Sequence, residues 1–360
     1  MSAMSRPGNK PVKGRGAIHN PANRYESTRS EAEDDGWGIL DEEPAPLVTT
    51  LTVDTSKSVI AYNQSPDIPF DRSINPYRGC EHGCIYCYAR PSHAWLGLSP
   101  GLDFESRLFY KPDAAELLRM ELASRSYSCA PLALGPNTDC YQPVERRLGI
   151  TRSIVEVLLD TKHPVGLVTK SALVERDIDL YREMAREQLA NVMVTVSTLD
   201  PALSRTLEPR AAVPKRRLKI IERLSESGIP VGVLIAPVIP VLTDTALEKT
   251  MQAVRDAGAL TAGYILLRLP QEVSPLFREW LSAHWPEKAS HVMSQIQQAR
   301  GGRDNVARFG ERMRGTGEYA EMINQRFRLM YRKLDFPGLP ELRTDLFEKP
   351  KLPGEQMDLF

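Results

Sequence analysis

The chain has 360 residues, 42% of them hydrophobic, which is enough for one large core with further segments beside it. Lys plus Arg and Asp plus Glu both number 46, so overall charge argues for no polyanionic partner and leaves only a local basic groove open. Five cysteines, three of them within eight residues, exclude a disulfide scaffold and fit a reducing compartment, so the cytoplasm is the expected location.

In chain order, residues 1–48 are rich in Gly, Pro, Ser and charge, basic up to Arg24 and acidic from Glu31 to Glu43. Such a segment forms no core of its own and is expected to be disordered or draped over the rest, with GRGAIHNPANRYE docking locally through its turn chemistry. From about residue 50 short β-branched runs alternate with longer helical ones. A strand near Ser73 to Tyr77 leads into the string NPYRGCEHGCIYCYAR. SRLFYKPDAAELLRMELAS then reads as helical before PLALGPNTD, and RRLGITRSIVEVLLDTKH before VGLVTKS. Further on, LVERDIDLYREMAREQ precedes NVMVTVSTLD, KRRLKIIERLSESG precedes VGVLIAPVIP, and LEKTMQAVRDAG precedes YILLRLP. The longest apolar run, VGVLIAPVIPVL, is short and broken by proline, so no membrane span is expected, and the basic N-terminus lacks the apolar stretch of a secretion signal.

The alternation predicts an α/β fold of about six β/α units over residues 49–286, with strands short and apolar enough to be buried in a parallel sheet that curls into an incomplete barrel. A doubly wound sheet fits the same alternation, but the glycine-rich dinucleotide turn after a first strand is missing. Residues 287–335 read as a helical addition closing the open side of the barrel, and residues 336–360 as a proline-rich, extended tail.

Cys80, Cys84 and Cys87 form a C-x3-C-x2-C loop with Tyr86 before the last thiol. Three soft thiolates on one compact loop can ligate three irons of a 4Fe-4S cube, leaving the fourth iron open to a small molecule. The alternative is zinc, with His82 completing a Cys3His set; zinc sites usually pair two short ligand hooks, and no second hook is present. The loop resembles the signature of radical S-adenosylmethionine (SAM) enzymes. Together with NTDCYQP, LVTKS, LEPR and APVIP, it is similar to the bacterial radical SAM group related to spore photoproduct lyase, over approximately residues 50 to 285. The resemblance implies a partial (β/α)6 TIM-like barrel, a 4Fe-4S cluster and SAM as cofactors, and a reductant such as flavodoxin or ferredoxin. It also implies reductive cleavage of SAM to a 5'-deoxyadenosyl radical, which takes hydrogen from a substrate.

Ligands of parallel β/α folds gather at the carboxyl ends of the strands, which singles out Asn137, Thr138 and Asp139, then Thr169, Lys170 and Ser171, then Ser197 and Thr198, and Arg268. Capping is the alternative role for each. The resemblance makes Asn137 and Thr138 candidates for the cofactor's methionyl amine. Glu145 stands as a substitute for the carboxylate of a glycine-glycine-glutamate element that this chain lacks. Ser197 is a candidate for the ribose or carboxylate and Tyr86 for the adenine edge. Photoproduct lyases donate the quenching hydrogen atom from a cysteine, a part for which Cys140 is the candidate, with a small buried hydrophobe as the alternative. Arg205, Arg210, Lys215, Arg216, Arg217 and Lys219, and separately Arg308, Arg312 and Arg314 around RGTG, are phosphate-gripping candidates or solvated faces.

The chain ends QMDLF, resembling the peptide by which bacterial DNA polymerases and repair proteins bind the β sliding clamp: Leu359 and Phe360 are apolar anchors and Gln356 an amide donor. DNA is thus a candidate substrate. RNA, protein or a metabolite stands as a second class, and a zinc-stabilised clamp-associated binding protein without catalysis as a third.

Overall fold

The structure, a computed structural model, describes residues 11–25 and 47–352. Among the described residues, ten strands and eleven α-helices follow in order. The first part holds β1 (Thr50–Val53), β2 (Ile60–Tyr62), β3 (Arg72–Ile74), β4 (Tyr77–Arg78), α1 (Leu102–Ser106), β5 (Arg107–Tyr110) and α2 (Ala114–Ala123). The middle holds β6 (Leu132–Leu134), α3 (Glu145–Leu148), α4 (Ile150–Asp160), β7 (Val165–Thr169), α5 (Ile178–Arg186), β8 (Ala190–Thr195), α6 (Pro201–Leu207) and α7 (Pro214–Glu226). The last part holds β9 (Val231–Val238), α8 (Leu247–Asp256), β10 (Thr261–Leu266), α9 (Val273–His284), α10 (Pro286–Gln298) and α11 (Gly317–Lys333).

Six strands run parallel in the order β3-β6-β7-β8-β9-β10, and β2 adds an antiparallel edge beside β3. The sheet is open, the architecture expected of a partial barrel. Val165 and Leu167, Val192 and Val194, and Val233 and Ile235 alternate onto one buried face because side chains along a strand alternate sides. Helices cover that face with apolar stripes at helical spacing, such as Ile220, Ile221 and Leu224 of α7.

Two expectations change. The strand expected over Ser73 to Tyr77 divides: β3 joins the main sheet, whereas β4 pairs antiparallel with β5 in a separate three-stranded sheet. Pro76 has no N–H to extend a ladder, and the Asn75 side chain accepts from the Asn137 and Thr138 amides. Likewise the segment read as helical from Ser106 is a strand through Tyr110, and its helix begins only at Ala114.

The amino ends of the strands are closed by residues 336–349. Gly338 N–H donates to Leu260, Arg343 N–H to Gln188 and Glu348 N–H to Thr161, crossing the starts of β10, β8 and β7. Phe347 packs its ring 5.7 Å from Tyr127 and 5.2 Å from His163. The Thr344 to Phe347 echo of the terminal peptide therefore has its apolar anchors, Leu346 and Phe347, packed on the core.

Candidate active site

The cysteine loop follows β4 and is held from three sides. Cys80 N–H donates to Phe104 and Ile85 N–H to Leu207. Underneath, the Arg90 guanidinium pairs with Glu105 at 2.5 Å, both fully buried, and donates to the Cys84 carbonyl. Over the top lies the segment 11–25, whose Gly16 and Ala17 amides donate to Glu105 at 3.0 and 2.8 Å. Gly83 turns the loop at φ +65°, and a Cβ there would lie 2.6 Å from the Glu105 carboxylate, so only glycine fits. Glu105 thus locks the N-terminal segment and the loop together.

Cys80 and Cys84 are buried and Cys87 half-buried. Burial pushes the Cys80 thiol far up, with Asp139 and the other two thiols adding to it; burial likewise lifts Cys84 to about 12. Buried thiols whose ionisation burial opposes, as at Cys80 and Cys84, suit a cationic group that would hold them as thiolates. Among the described residues no three His, Cys, Asp or Glu side chains converge on one metal ion. The irons of a cube each take one thiolate, whereas a tetrahedral zinc on these three thiols needs a fourth ligand. His82, the proposed fourth zinc ligand, instead points its Nδ1 at Asp139, 3.3 Å away.

Asp139 is the hub of the mouth. It accepts from Thr169 Oγ1 at 2.8 Å, from the Lys170 amide at 2.7 Å and from the Tyr141 amide at 2.9 Å, joining the ends of β6 and β7 to the cysteine loop through His82. Burial opposes its charge, but His82 and these donors prevail and hold its pKa at about 2. A second hub sits behind Cys84. Glu208 and Arg217, both buried, form an ion pair, and Tyr86 donates its hydroxyl to the same carboxylate. Arg217 also donates to the Thr195 carbonyl at 3.0 Å, pinning the end of β8. Lys170 faces this group; burial lowers its pKa, but Cys84 and Glu208 outweigh that and hold it raised.

The strand-end candidates divide into free and committed groups. Ser197 is 2% exposed and its hydroxyl has no hydrogen-bond partner, as expected of a ligand contact. Arg268 lies 5.4 Å over the Tyr88 ring, its Nε buried and unpaired. Asn137 is exposed at the rim. Thr138 donates its hydroxyl to the Tyr77 carbonyl at 2.7 Å. Glu145 is not available to the mouth: it is fully buried, takes the Tyr77 hydroxyl and the Thr151 amide on one oxygen, and pairs with Arg176 at 2.7 Å on the other. Cys140 is also turned away, fully buried in the main core among Tyr77, Tyr141 and Tyr181, with the Gly135 backbone packed on its sulfur.

The basic residues expected near the fourth unit are largely paired: Arg210 with Glu81, Arg216 with Glu175, Lys219 with Glu222, and Arg217 as above. Gln356, Leu359 and Phe360 lie outside the described residues.

The radical SAM superfamily model matches residues 74–254, half of the chain and all of the mouth up to β9. The chain belongs to the radical SAM superfamily. Its cofactors are a 4Fe-4S cluster and SAM. An uncharacterised protein of Mycobacterium tuberculosis is 34% identical over 258 residues, spanning 70% of this chain and 76% of that one. An uncharacterised protein of Methanocaldococcus jannaschii is 26% identical over 214 residues, 59% of this chain and 76% of that one. Among solved structures, spore photoproduct lyase complexed with dinucleoside spore photoproduct matches with a TM-score of 0.58 at 13% identity, covering 80% of this chain and 79% of that one. A mutant of the same lyase with bound AdoMet and the dinucleoside matches at 0.57 and 13%, over 80% of each chain. These likenesses establish the radical SAM fold. The cysteine loop at the head of this radical SAM domain carries the three thiols; of the residues that hold it, Glu208 and Glu105 had no role from sequence, while Asp139 and Arg217 were candidates for ligand contacts rather than for holding the loop. The LEPR string and the Asp139 position after an apolar run were their only signals, and neither reveals a partner.

Proposed function

We propose that this radical SAM enzyme acts on DNA, taking a hydrogen atom from a damaged nucleotide in a photoproduct-lyase type of repair. When bound, the cluster would supply one electron, drawn from a reductant, for the reductive cleavage of SAM. Cys80, Cys84 and Cys87 hold the cluster. The unpartnered Ser197 hydroxyl and the Lys170 ammonium bind SAM polar groups at the ends of β8 and β7, Asn137 completes the rim, and Tyr86 fixes the loop through Glu208. Asp139 and Glu208 keep the mouth in one geometry and so act as positioning residues.

The observation that carries the DNA reading is Arg268: a half-buried cation with an unpaired Nε, stacked on Tyr88 beside Cys87. A cation and an aromatic face at the radical source suit a phosphodiester and a base. The likeness to a lyase solved with a dinucleoside lesion supports the same reading. The C-terminal peptide would then bring the enzyme to the β sliding clamp, tethered beyond the segment that seals the opposite pole.

The test is anaerobic incubation of the reconstituted protein with SAM, dithionite and ultraviolet-irradiated DNA, followed by mass spectrometry of the digested strand. Restored thymidine pairs together with 5'-deoxyadenosine support the proposal. 5'-Deoxyadenosine with unaltered DNA would overturn it in favour of an RNA, protein or metabolite substrate. Pull-down of purified clamp by the intact chain, lost on deleting residues 356–360, checks the partner.

A further inference from the structure

A cavity of about 740 Å³ lies outside the mouth, between the edge strand β10 and one face of α11. Ala262 and Tyr264 form one wall, and the helix presents Gly317, Ala320, Asn324, Phe327 and Tyr331 at helical spacing, so the groove follows α11 for about 20 Å. Three arginines line it: Arg314, Arg328 and Arg332. Among the described residues none of the three has an ion pair or a side-chain hydrogen bond, whereas their neighbours Arg308, Arg312 and Arg326 are paired with Glu311, Asp67 and Glu248. The one acid in the groove, Glu321, is taken up by the Asn324 and Gln325 amides at 3.3 and 3.2 Å.

The remaining features favour a ligand with both an aromatic ring and a phosphate. The Arg314 guanidinium lies 4.0 Å over the Tyr264 ring, which also packs 4.8 Å from Phe327, so the buried tyrosine backs a planar guanidinium whose outer face can stack on a base. Tyr264 is 2% exposed, yet its hydroxyl has no hydrogen-bond partner. Thr316 starts the 17-residue α11 without a side-chain cap, leaving first-turn N–H groups directed at the groove's end. The loop from Arg308 to Gly317 joins this groove to the mouth, since its Gly310 amide and Arg312 are held by Asp67 and the Arg312 charge acts on Arg268.

We infer that the groove between β10 and α11 binds nucleotide units, and that it holds the strand flanking the nucleotide that enters the mouth. The assignment of a strand as the source rests on the DNA reading above; the groove's chemistry does not. Arg328 and Arg332 take phosphates, while the Arg314 guanidinium, backed by Tyr264, stacks on a base.

The test is fluorescence anisotropy of the full-length, cluster-reconstituted protein with a labelled oligothymidylate of about twelve nucleotides across a salt series, repeated with labelled ADP. Arg328→Gln/Arg332→Gln, both exposed positions, is compared with the unmodified chain, and equal iron content and melting temperature show that the fold is intact. Strand affinity reduced at least tenfold, with the salt slope smaller by about 1.4 for two lost phosphate contacts, supports the strand. ADP binding lost in the variant, with no strand binding by either protein, supports the groove with a free nucleotide as its ligand. Equal affinities and slopes for both ligands, in this variant and in Arg314→Ala, overturn the inference. Strand binding lost in the variant, from a protein that leaves irradiated DNA unaltered, keeps the groove and removes only the repair reading.

Discussion

At the amino ends of β7, β8 and β10 the chain closes over itself, with the Gly338, Arg343 and Glu348 amides paired and the Phe347 ring packed edge-on to His163 and tilted against Tyr127. At the carboxyl ends of the same parallel sheet, Asp139 and Glu208 tie loops together by charge, while the Ser197 hydroxyl and the Arg268 Nε are buried without partners. Unsatisfied buried polar atoms cost about 1–3 kcal/mol each, so a fold that seals one pole and leaves them at the other carries them for a ligand. The sealed pole contributes stability; the open one contributes chemistry.

Substitutions at each pole should separate these contributions. The largest stability effect is expected at the hub behind Cys84, where Glu208→Gln strands the buried Arg217 charge and should cost about 3–5 kcal/mol in urea unfolding. A loss below about 1 kcal/mol would mean that Arg217 finds another partner. Phe347→Ala at the sealed pole should cost about 2 kcal/mol, since the ring is half-buried, with 5'-deoxyadenosine formation unchanged. A fall in nucleoside yield at temperatures where the variant is folded would show that the two poles are coupled.

Acid should weaken both poles in the same window. Burial holds His163 and His93 at about 4 in the folded chain, against an ordinary value of 6.5. Their folded pKa values are depressed, so the stability they contribute is full above about pH 6.5 and is lost as pH falls toward 4. Between pH 7 and 5 each should account for a loss of about 2 kcal/mol, and His163→Gln should remove its share from the measured pH dependence. Smallest in stability is Ser197→Ala: its hydroxyl has no partner, so unfolding should not change, while the KM for SAM should rise about tenfold. A destabilised variant with an unchanged KM would place Ser197 among structural residues.

The parallel strands were legible because β6 to β10 are apolar runs between amphipathic helices, and the cysteine loop because three thiols at fixed spacing have few other uses. Two elements escaped for local reasons. Arg107–Tyr110 adjoins a helical pattern and pairs with strands far along the chain, and α9, which carries Pro275 in its first turn where a missing N–H does no harm, was not read at all. Within the site, proximity in sequence did not show the surroundings of Cys140 and Glu145, both fully buried. Both follow a strand end, but the Asp139 side chain caps the Tyr141 amide and turns the chain back into the core. Arg217 sat in a basic run open to phosphate gripping or to solvent, because a sequence does not show which member of the run meets a buried carboxylate.

Anaerobic reconstitution with iron and sulfide, followed by dithionite, SAM and chromatography for 5'-deoxyadenosine, tests the open pole most directly. Nucleoside from the intact chain and none from Cys84→Ala, which also fails to assemble a cluster, is the predicted result. Equal nucleoside from both proteins, or bound zinc with SAM left intact, would contradict the assignment of Cys80, Cys84 and Cys87 as the cluster ligands.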